Sequence, residues 1–289
     1  MKIVRLGMTE SGILLLTFAH QHGNFPPPVK HQIFHYLLHL TNWLYTTSGY
    51  YDKAVTGSKF NFTETAVYTD NFNNLIKHLG LAVNGCNETQ FYFHDGFIRS
   101  LYESLKDRFL NHYGINNFKL LNDTKTIDRV PFYYEKIKGK KVLVVSSFAE
   151  LCVQQYTSGN IYNLGIGFPT VKGVVGVTPP YCFLNTGPHK NYFETLSAIY
   201  EEIKKADFDV AVLGCGVYGH MLCHLIHTEL KKDAVYIGGC VTNIFGILSS
   251  REKDVGMGKD VKTNEFWVLT IPDKYKPPNY KDIENGCYW

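Results

Sequence analysis

Residues 207–228, DFDVAVLGCGVYGHMLCHLIHT, confine the fold more tightly than any other stretch of the chain. Val210, Ala211, Val212 and Leu213 make a short apolar, partly β-branched run, as expected of a strand covered on both faces. Gly214, Gly216 and Gly219 then set the spacing G-x-G-x-x-G, after which Met221, Leu222, Leu225 and Ile226 recur at helix period. A strand that breaks into a glycine turn and restarts as a helix is the setting of a phosphate-binding loop. Missing Cβ atoms let the backbone approach a ligand, and the unpaired N–H groups with the positive helix end favour an anion. The competing reading is a glycine corner that only lets the helix pack onto its strand, because the fingerprint by itself is weak.

The next expected strand, residues 234–237, narrows the choice of ligand. A dinucleotide site places an Asp or Glu about 20 residues beyond the fingerprint, where it accepts from the adenosine ribose. Here the strand runs into Gly238-Gly239-Cys240, with no carboxylate. A second glycine turn beside the first points to a second close backbone contact at the carboxyl edge of the sheet. That favours a nucleotide other than NAD.

The remaining composition excludes several classes. A net charge of +3 with no basic run longer than Lys138-Gly139-Lys140-Lys141 is not the footprint of a nucleic-acid binder. Seven cysteines at irregular spacing, without C-x-x-C pairs, read as reduced thiols in a cytoplasmic setting. No stretch approaches the roughly 18 consecutive apolar residues of a membrane span. Lys2 and Arg5 before the apolar residues 12–16 loosely imitate a signal peptide, but Glu10 interrupts the pattern and no clear cleavage site follows. The sequons at Asn61, Asn87 and Asn122 are then unused.

Periodicity predicts a strand at residues 2–6 and helices at 12–20, 29–44, 71–78 and 97–113. From residue 139 onward strands and helices alternate: a strand at 141–146, a helix near 150–156, a strand at 173–177, a helix at 191–205 and the two glycine-loop strands. Alternation of this kind argues for a mostly parallel α/β sheet with helices on both faces, elaborated by helices in the amino-terminal half. Residues 1–289 are read as one domain with a mainly helical part at 1–122 and a nucleotide-binding part at 139–289. The joints fall at residues 24–28 and 122–129.

Taken together, these segments resemble the GT-D-type glycosyltransferases, nucleotide-sugar-dependent enzymes with a Rossmann-like fold. The likeness is carried by residues 140–156 (KKVLVVSSFAELCVQQY), 185–196 (NTGPHKNYFETL), 209–219 (DVAVLGCGVYG), 236–247 (YIGGCVTNIFGI) and the ending 283–289 (IENGCYW). One departure concerns mechanism. The family's first strand typically ends in R-x-G-D-G-E, with the acidic pair as the metal and catalytic site, whereas this chain has Arg5-Leu6-Gly7-Met8-Thr9-Glu10. Met8 cannot ligate a hard cation, which prefers carboxylate and phosphate oxygens.

The resemblance implies nucleotide binding by Arg5, Gly7, Phe148, Gly214, Gly216, Tyr218, Gly238 and Gly239. It implies Glu10 as catalytic carboxylate, either a base for the acceptor hydroxyl or a ligand for Mn²⁺ or Mg²⁺. His189 is a second acid/base candidate. Plainer roles stand beside these: Glu10 as a cap of the first helix, Arg5 as an ion pair at the sheet edge, Phe148 as core, His189 as a local hydrogen-bonding group. Two histidine ladders, His31/His35/His39 and His220/His224/His227, share helical faces but lack the H-E-x-x-H arrangement. Tyr45, Tyr50 and Tyr51 can furnish faces for stacking sugars.

The expected activity is transfer of a sugar from a nucleoside diphosphate donor, UDP-linked, to a glycan or glycosylated protein. The alternatives are an NAD(P)-dependent oxidoreductase or epimerase and a non-catalytic nucleotide-sugar-binding protein, the last suggested by the lost aspartate.

Overall fold

The computed structural model describes residues 1–54, 69–93, 95–121, 130–250 and 262–289, and of residues 45–47 the backbone alone. The sequons at Asn61 and Asn122, the joint at 122–129 and the side chain of Tyr45 lie outside the described residues. Seven strands appear: β1 (Lys2–Arg5), β2 (Glu88–Phe91), β3 (Phe118–Leu120), β4 (Lys141–Ser146), β5 (Gly173–Val177), β6 (Val210–Gly214) and β7 (Asp233–Tyr236). They form one sheet in the order β3-β2-β1-β7-β6-β4-β5, and every pairing is parallel.

Continuous apolar runs are stable in a strand only when both sheet faces are buried, and the side chains divide accordingly. Val142, Val144, Val210, Val212 and Val235 enter one core, while Leu143, Val145, Ala211, Leu213 and Tyr236 enter the other. The second of these cores is closed by α1 (Met8–His22), α2 (Pro27–Thr47), α3 (Asp70–Val83) and α4 (Gly96–His112), and the first by α5 (Val130–Ile137), α6 (Ala149–Thr157) and the carboxyl-terminal segments around Trp267 and Trp289. The helices α7 (Tyr192–Lys205) and α8 (Tyr218–Thr228) join the α1 side, and the single turn α9 (Cys240–Asn243) joins the α5 side.

The amino-terminal half differs from its expected, almost wholly helical form. It supplies β2 and β3 to the common sheet. β2 reads ETQF and β3 only FKL, so neither offers the apolar run that marks β4 and β6. Helix α1 starts four residues before the expected boundary, and everything from Thr9 through Ala19 is buried. Its Gly12 answers to packing: a Cβ there would come within 2.4 Å of Leu40 on α2. Side-chain caps fix other entries, with Asp95 accepting from the amides of Phe97 (2.8 Å) and Ile98 (3.1 Å), and Asn191 from those of Phe193 (3.0 Å) and Glu194 (3.1 Å).

The chain runs outward from β4 to β5 but inward from β6 to β7. This reversal between adjacent strands opens the crevice in which parallel sheets bind ligands, outside the carboxyl ends of the strands.

Candidate active site

A cavity of about 470 Å³ occupies that crevice. Its floor lies at the carboxyl ends of the strands: Arg5 and Gly7 at β1, Tyr92 at β2, Ser146 to Phe148 at β4, the 214–218 turn at β6 and the 238–242 turn at β7. One wall is the start of α1 with Ser48 and Gly49, and another is formed by residues 179–183 with Glu284, Tyr288 and Trp289. Of the ten residues expected to serve the site, nine line this one cavity: Arg5, Gly7, Glu10, Phe148, Gly214, Gly216, Tyr218, Gly238 and Gly239.

The two glycine turns divide the work differently from the expectation. A Cβ on Gly214 would stand 2.4 Å from the Gly238 carbonyl oxygen and one on Gly219 2.3 Å from the Tyr236 ring. Gly216, at φ 58°, would meet the Ser48 carbonyl oxygen at 2.3 Å, and the amide of Val217 donates to that same oxygen at 2.9 Å. Packing inside the protein therefore requires glycine at these three positions, two of which, Gly214 and Gly216, also line the cavity. Gly238, at φ 64°, and Gly239 are open instead, with nothing within 4 Å of a Cβ at Gly239. Among the described residues, none of the amides of Cys215, Gly216, Gly238 and Gly239 donates to a protein acceptor. An unpaired amide at a cavity wall calls for an acceptor from outside the chain.

Arg5 supplies the cation. Its Nη1 donates to the Ile237 carbonyl oxygen at 3.1 Å and lies 3.2 Å from Cys240 Sγ, while its buried Nε has no protein partner. Burial opposes its charge, but Cys240, Tyr133, Tyr236 and Glu10 outweigh that and hold the guanidinium's pKa above its usual value. Glu10, 6% exposed, is the third residue of α1. Ser48 Oγ donates to its Oε1 at 3.4 Å, and a Cβ on Gly7 would lie 2.7 Å from its Oε2, so the carboxylate folds back over the helix start. That position is stabilised by the helix dipole. Capping and a place in the cavity are thus compatible.

Other expected residues take structural parts. Tyr218 is 3% exposed, donates to the Gly49 carbonyl oxygen at 2.9 Å and stacks on Tyr192 at 4.8 Å, thereby pinning the 48–49 turn against the glycine loop. Phe148 is 8% exposed and both lines the cavity and packs edge-on to Tyr275 at 6.3 Å. His189 is not brought to the cavity. Its Nδ1 pairs with Thr195 Oγ1 at 2.8 Å and its amide donates to Tyr51 Oη at 3.2 Å, which is the local hydrogen-bonding role. Tyr50 and Tyr51 are wholly buried and present no face to a sugar.

The residues that sequence reasoning passed over are Phe183, Cys240, Glu284, Tyr288 and Trp289. Glu284 to Trp289 stand in the IENGCYW ending, a signal of likeness without periodicity to tell what it builds. Among the described residues no three His, Cys, Asp or Glu side chains are grouped to hold a metal ion, the histidine ladders included. Glu10 offers one hard oxygen donor, which fits a cation held mainly by substrate phosphates and water rather than an all-protein cage.

No helix among the described residues is long and apolar enough to cross a membrane. No curated protein and no solved structure matches the chain. A family model described as the GT-D fold-like domain matches residues 85–244, more than half of the chain, covering both glycine turns but neither Arg5 and Glu10 nor Glu284. With its all-parallel Rossmann-like sheet and this match, the chain belongs to the GT-D-like family.

Proposed function

We propose that this protein is a glycosyltransferase that moves a sugar from a nucleoside diphosphate donor, UDP-linked, to a glycan or glycosylated protein. One observation carries the reading: Cys215, Gly216, Gly238 and Gly239, whose amides have no protein acceptor among the described residues, line one cavity with Arg5 on two adjacent strand-end turns. Such a set is built to accept a diphosphate, and it holds the charge that develops on the leaving group. In the transfer step the acceptor oxygen bonds the anomeric carbon as the bond from that carbon to the phosphate oxygen breaks. The bonding pair departs with the nucleoside diphosphate, and Glu10 takes the acceptor's proton. In the alternative role, Glu10 would instead ligate a divalent cation, Mn²⁺ or Mg²⁺, together with the donor's phosphates, and the cation would neutralise part of that charge.

The end of β7 supports a sugar nucleotide over NAD. Residues 237–240 carry no carboxylate where a dinucleotide fold accepts from the ribose. Thermal-shift titration with UDP, UDP-sugars, GDP-sugars and NAD(P), each with and without Mn²⁺, tests the reading. Stabilisation by UDP or a UDP-sugar is expected; stabilisation by NAD(P) alone refutes it.

A further inference from the structure

The backbone is strained at two turns that meet over this cavity. Five non-glycine residues among those described have a left-handed backbone: Leu184 (φ 54°), Asn185 (φ 61°), Lys231 (φ 56°), Glu284 (φ 45°) and Asn285 (φ 55°). Four of the five fall in two single-turn 3₁₀ segments, Phe183–Asn185 and Glu284–Gly286. Leu and Glu gain nothing locally from this conformation, which only glycine and, less readily, Asn or Asp adopt easily. Strain of that kind persists where the surroundings enforce it, and it collects at ligand-holding sites.

What the two turns deliver is specific. Phe183 and Glu284 both reach the cavity wall, and Tyr288 and Trp289 follow directly. Although about a hundred residues apart in sequence, Phe183 and Trp289 meet edge to face, with ring centroids 6.2 Å apart at 82°. Tyr288 stands against Trp289 at 6.0 Å and 85°. Glu284 is one of two carboxylates on the cavity wall, the other being Glu10.

We infer that the rim built by the 183–185 and 284–289 turns is the acceptor subsite, and that it takes the terminal sugar ring of a neutral glycan. The inference rests on the transferase reading above and deepens it. A pyranose offers an apolar C–H face and a ring of hydroxyl donors. The half-buried rings of Phe183 and Tyr288 at the cavity wall, backed by the buried Trp289, cover the first, and a carboxylate accepts from the second through charge-assisted hydrogen bonds. Repulsion between this carboxylate and a phosphate favours placing the diphosphate beside the Arg5 cation and the unpaired amides.

The test uses UDP as donor-site probe and methyl glycosides of glucose, galactose and N-acetylglucosamine as rim probes. Binding is followed by saturation-transfer NMR and calorimetry on wild type, Phe183→Ala and the isosteric Glu284→Gln. At least one glycoside is expected to bind the wild type, and to bind each variant about tenfold more weakly or worse, through one lost charge-assisted hydrogen bond in Glu284→Gln and one lost ring contact in Phe183→Ala, with UDP affinity unchanged. Unaltered glycoside binding in Glu284→Gln overturns the subsite, and so does a parallel loss of UDP binding, which would put the turns at the donor end. Titrations are run with and without UDP. A wild type that binds glycosides but not UDP refutes the UDP-transferase reading and leaves the rim standing only as a sugar site, whereas one that binds UDP but no glycoside overturns the rim alone.

Discussion

The guanidinium of Arg5 lies 3.2 Å from the sulfur of Cys240, so the last residue of β1 is fastened beneath the first residue of α9. The same Nη1 holds the Ile237 carbonyl oxygen at 3.1 Å. The cation is thus built into the turn whose amides are unpaired. Cation and amides are fixed to one another before any ligand arrives, and the cost of assembling them is not charged to binding.

Arg5→Gln is expected to weaken UDP binding about 10- to 100-fold, the range of one lost charge-assisted contact, and to leave uridine binding unchanged. Calorimetric titration of both ligands against both proteins measures this directly. If UDP and uridine lose affinity equally, Arg5 does not act on phosphate.

The two glycine turns separate by substitution. Gly216→Ala adds a Cβ 2.3 Å from the Ser48 carbonyl oxygen at φ 58°, whereas a Cβ on Gly239 meets nothing within 4 Å. Gly216→Ala is therefore expected to destabilise by about 1–3 kcal/mol, through strain and overpacking, and Gly239→Ala by well under 1 kcal/mol. Gly239→Ala is expected instead to weaken UDP by narrowing the open turn. Urea unfolding and UDP titration of the pair decide it; equal stabilities would mean the first turn can relax.

Glu10→Gln keeps the size and fold-back of the side chain but removes its charge. Transfer is expected to fall about 10²- to 10⁴-fold, the usual contribution of a general base, with UDP affinity retained within a factor of about three. Turnover assayed alongside nucleotide titration checks both parts. Unchanged turnover leaves Glu10 as a helix cap.

The carboxyl-terminal half of the sheet was legible because its strands advertise themselves. VLVV in β4 and VAVL in β6 are unbroken apolar runs, and β4 and β5 stand at the expected residues. β2 was hidden because ETQF borrows its burial from neighbours: Thr89 and Gln90 are buried beside β1 and β3 without being apolar. The glycine fingerprint located the cavity, but for a partly different reason from the one it suggests. Gly214, Gly216 and Gly219 satisfy protein packing, and the openness lies at Gly238 and Gly239. Glu284 and Phe183 could not be placed from spacing at all, since strained single turns have no periodic signature and only the folded chain brings them together.

Acid sensitivity follows from the histidines. Burial lowers the pKa of His78, His112, His220, His224 and His227, with Lys2 adding to the effect at His224, whose Nδ1 is 3.4 Å from Lys2 Nζ. A group whose folded pKa lies below its unfolded value near 6.5 binds fewer protons in the native state, so stability rises with pH through that window. Stability is accordingly full above about pH 7 and is lost progressively as pH falls through 6.5 toward the folded values. The depressed Asp233 acts in the same sense, but only near and below its usual value of 3.8, where its pairing with Lys140 and the amino terminus is undone. His220 gives the cleanest probe. It is 1% exposed, its Nδ1 faces the Val217 carbonyl oxygen at 3.2 Å, and its ring packs on Tyr236 at 4.2 Å. An Asn side-chain amide at the same position can still donate to that oxygen but cannot titrate. His220→Asn is expected to lower stability at pH 8 yet show a shallower decline between pH 7.5 and 5.5 than the wild type. Urea midpoints across that range measure both slopes, and a wild-type midpoint independent of pH there would show that the buried histidines charge without cost.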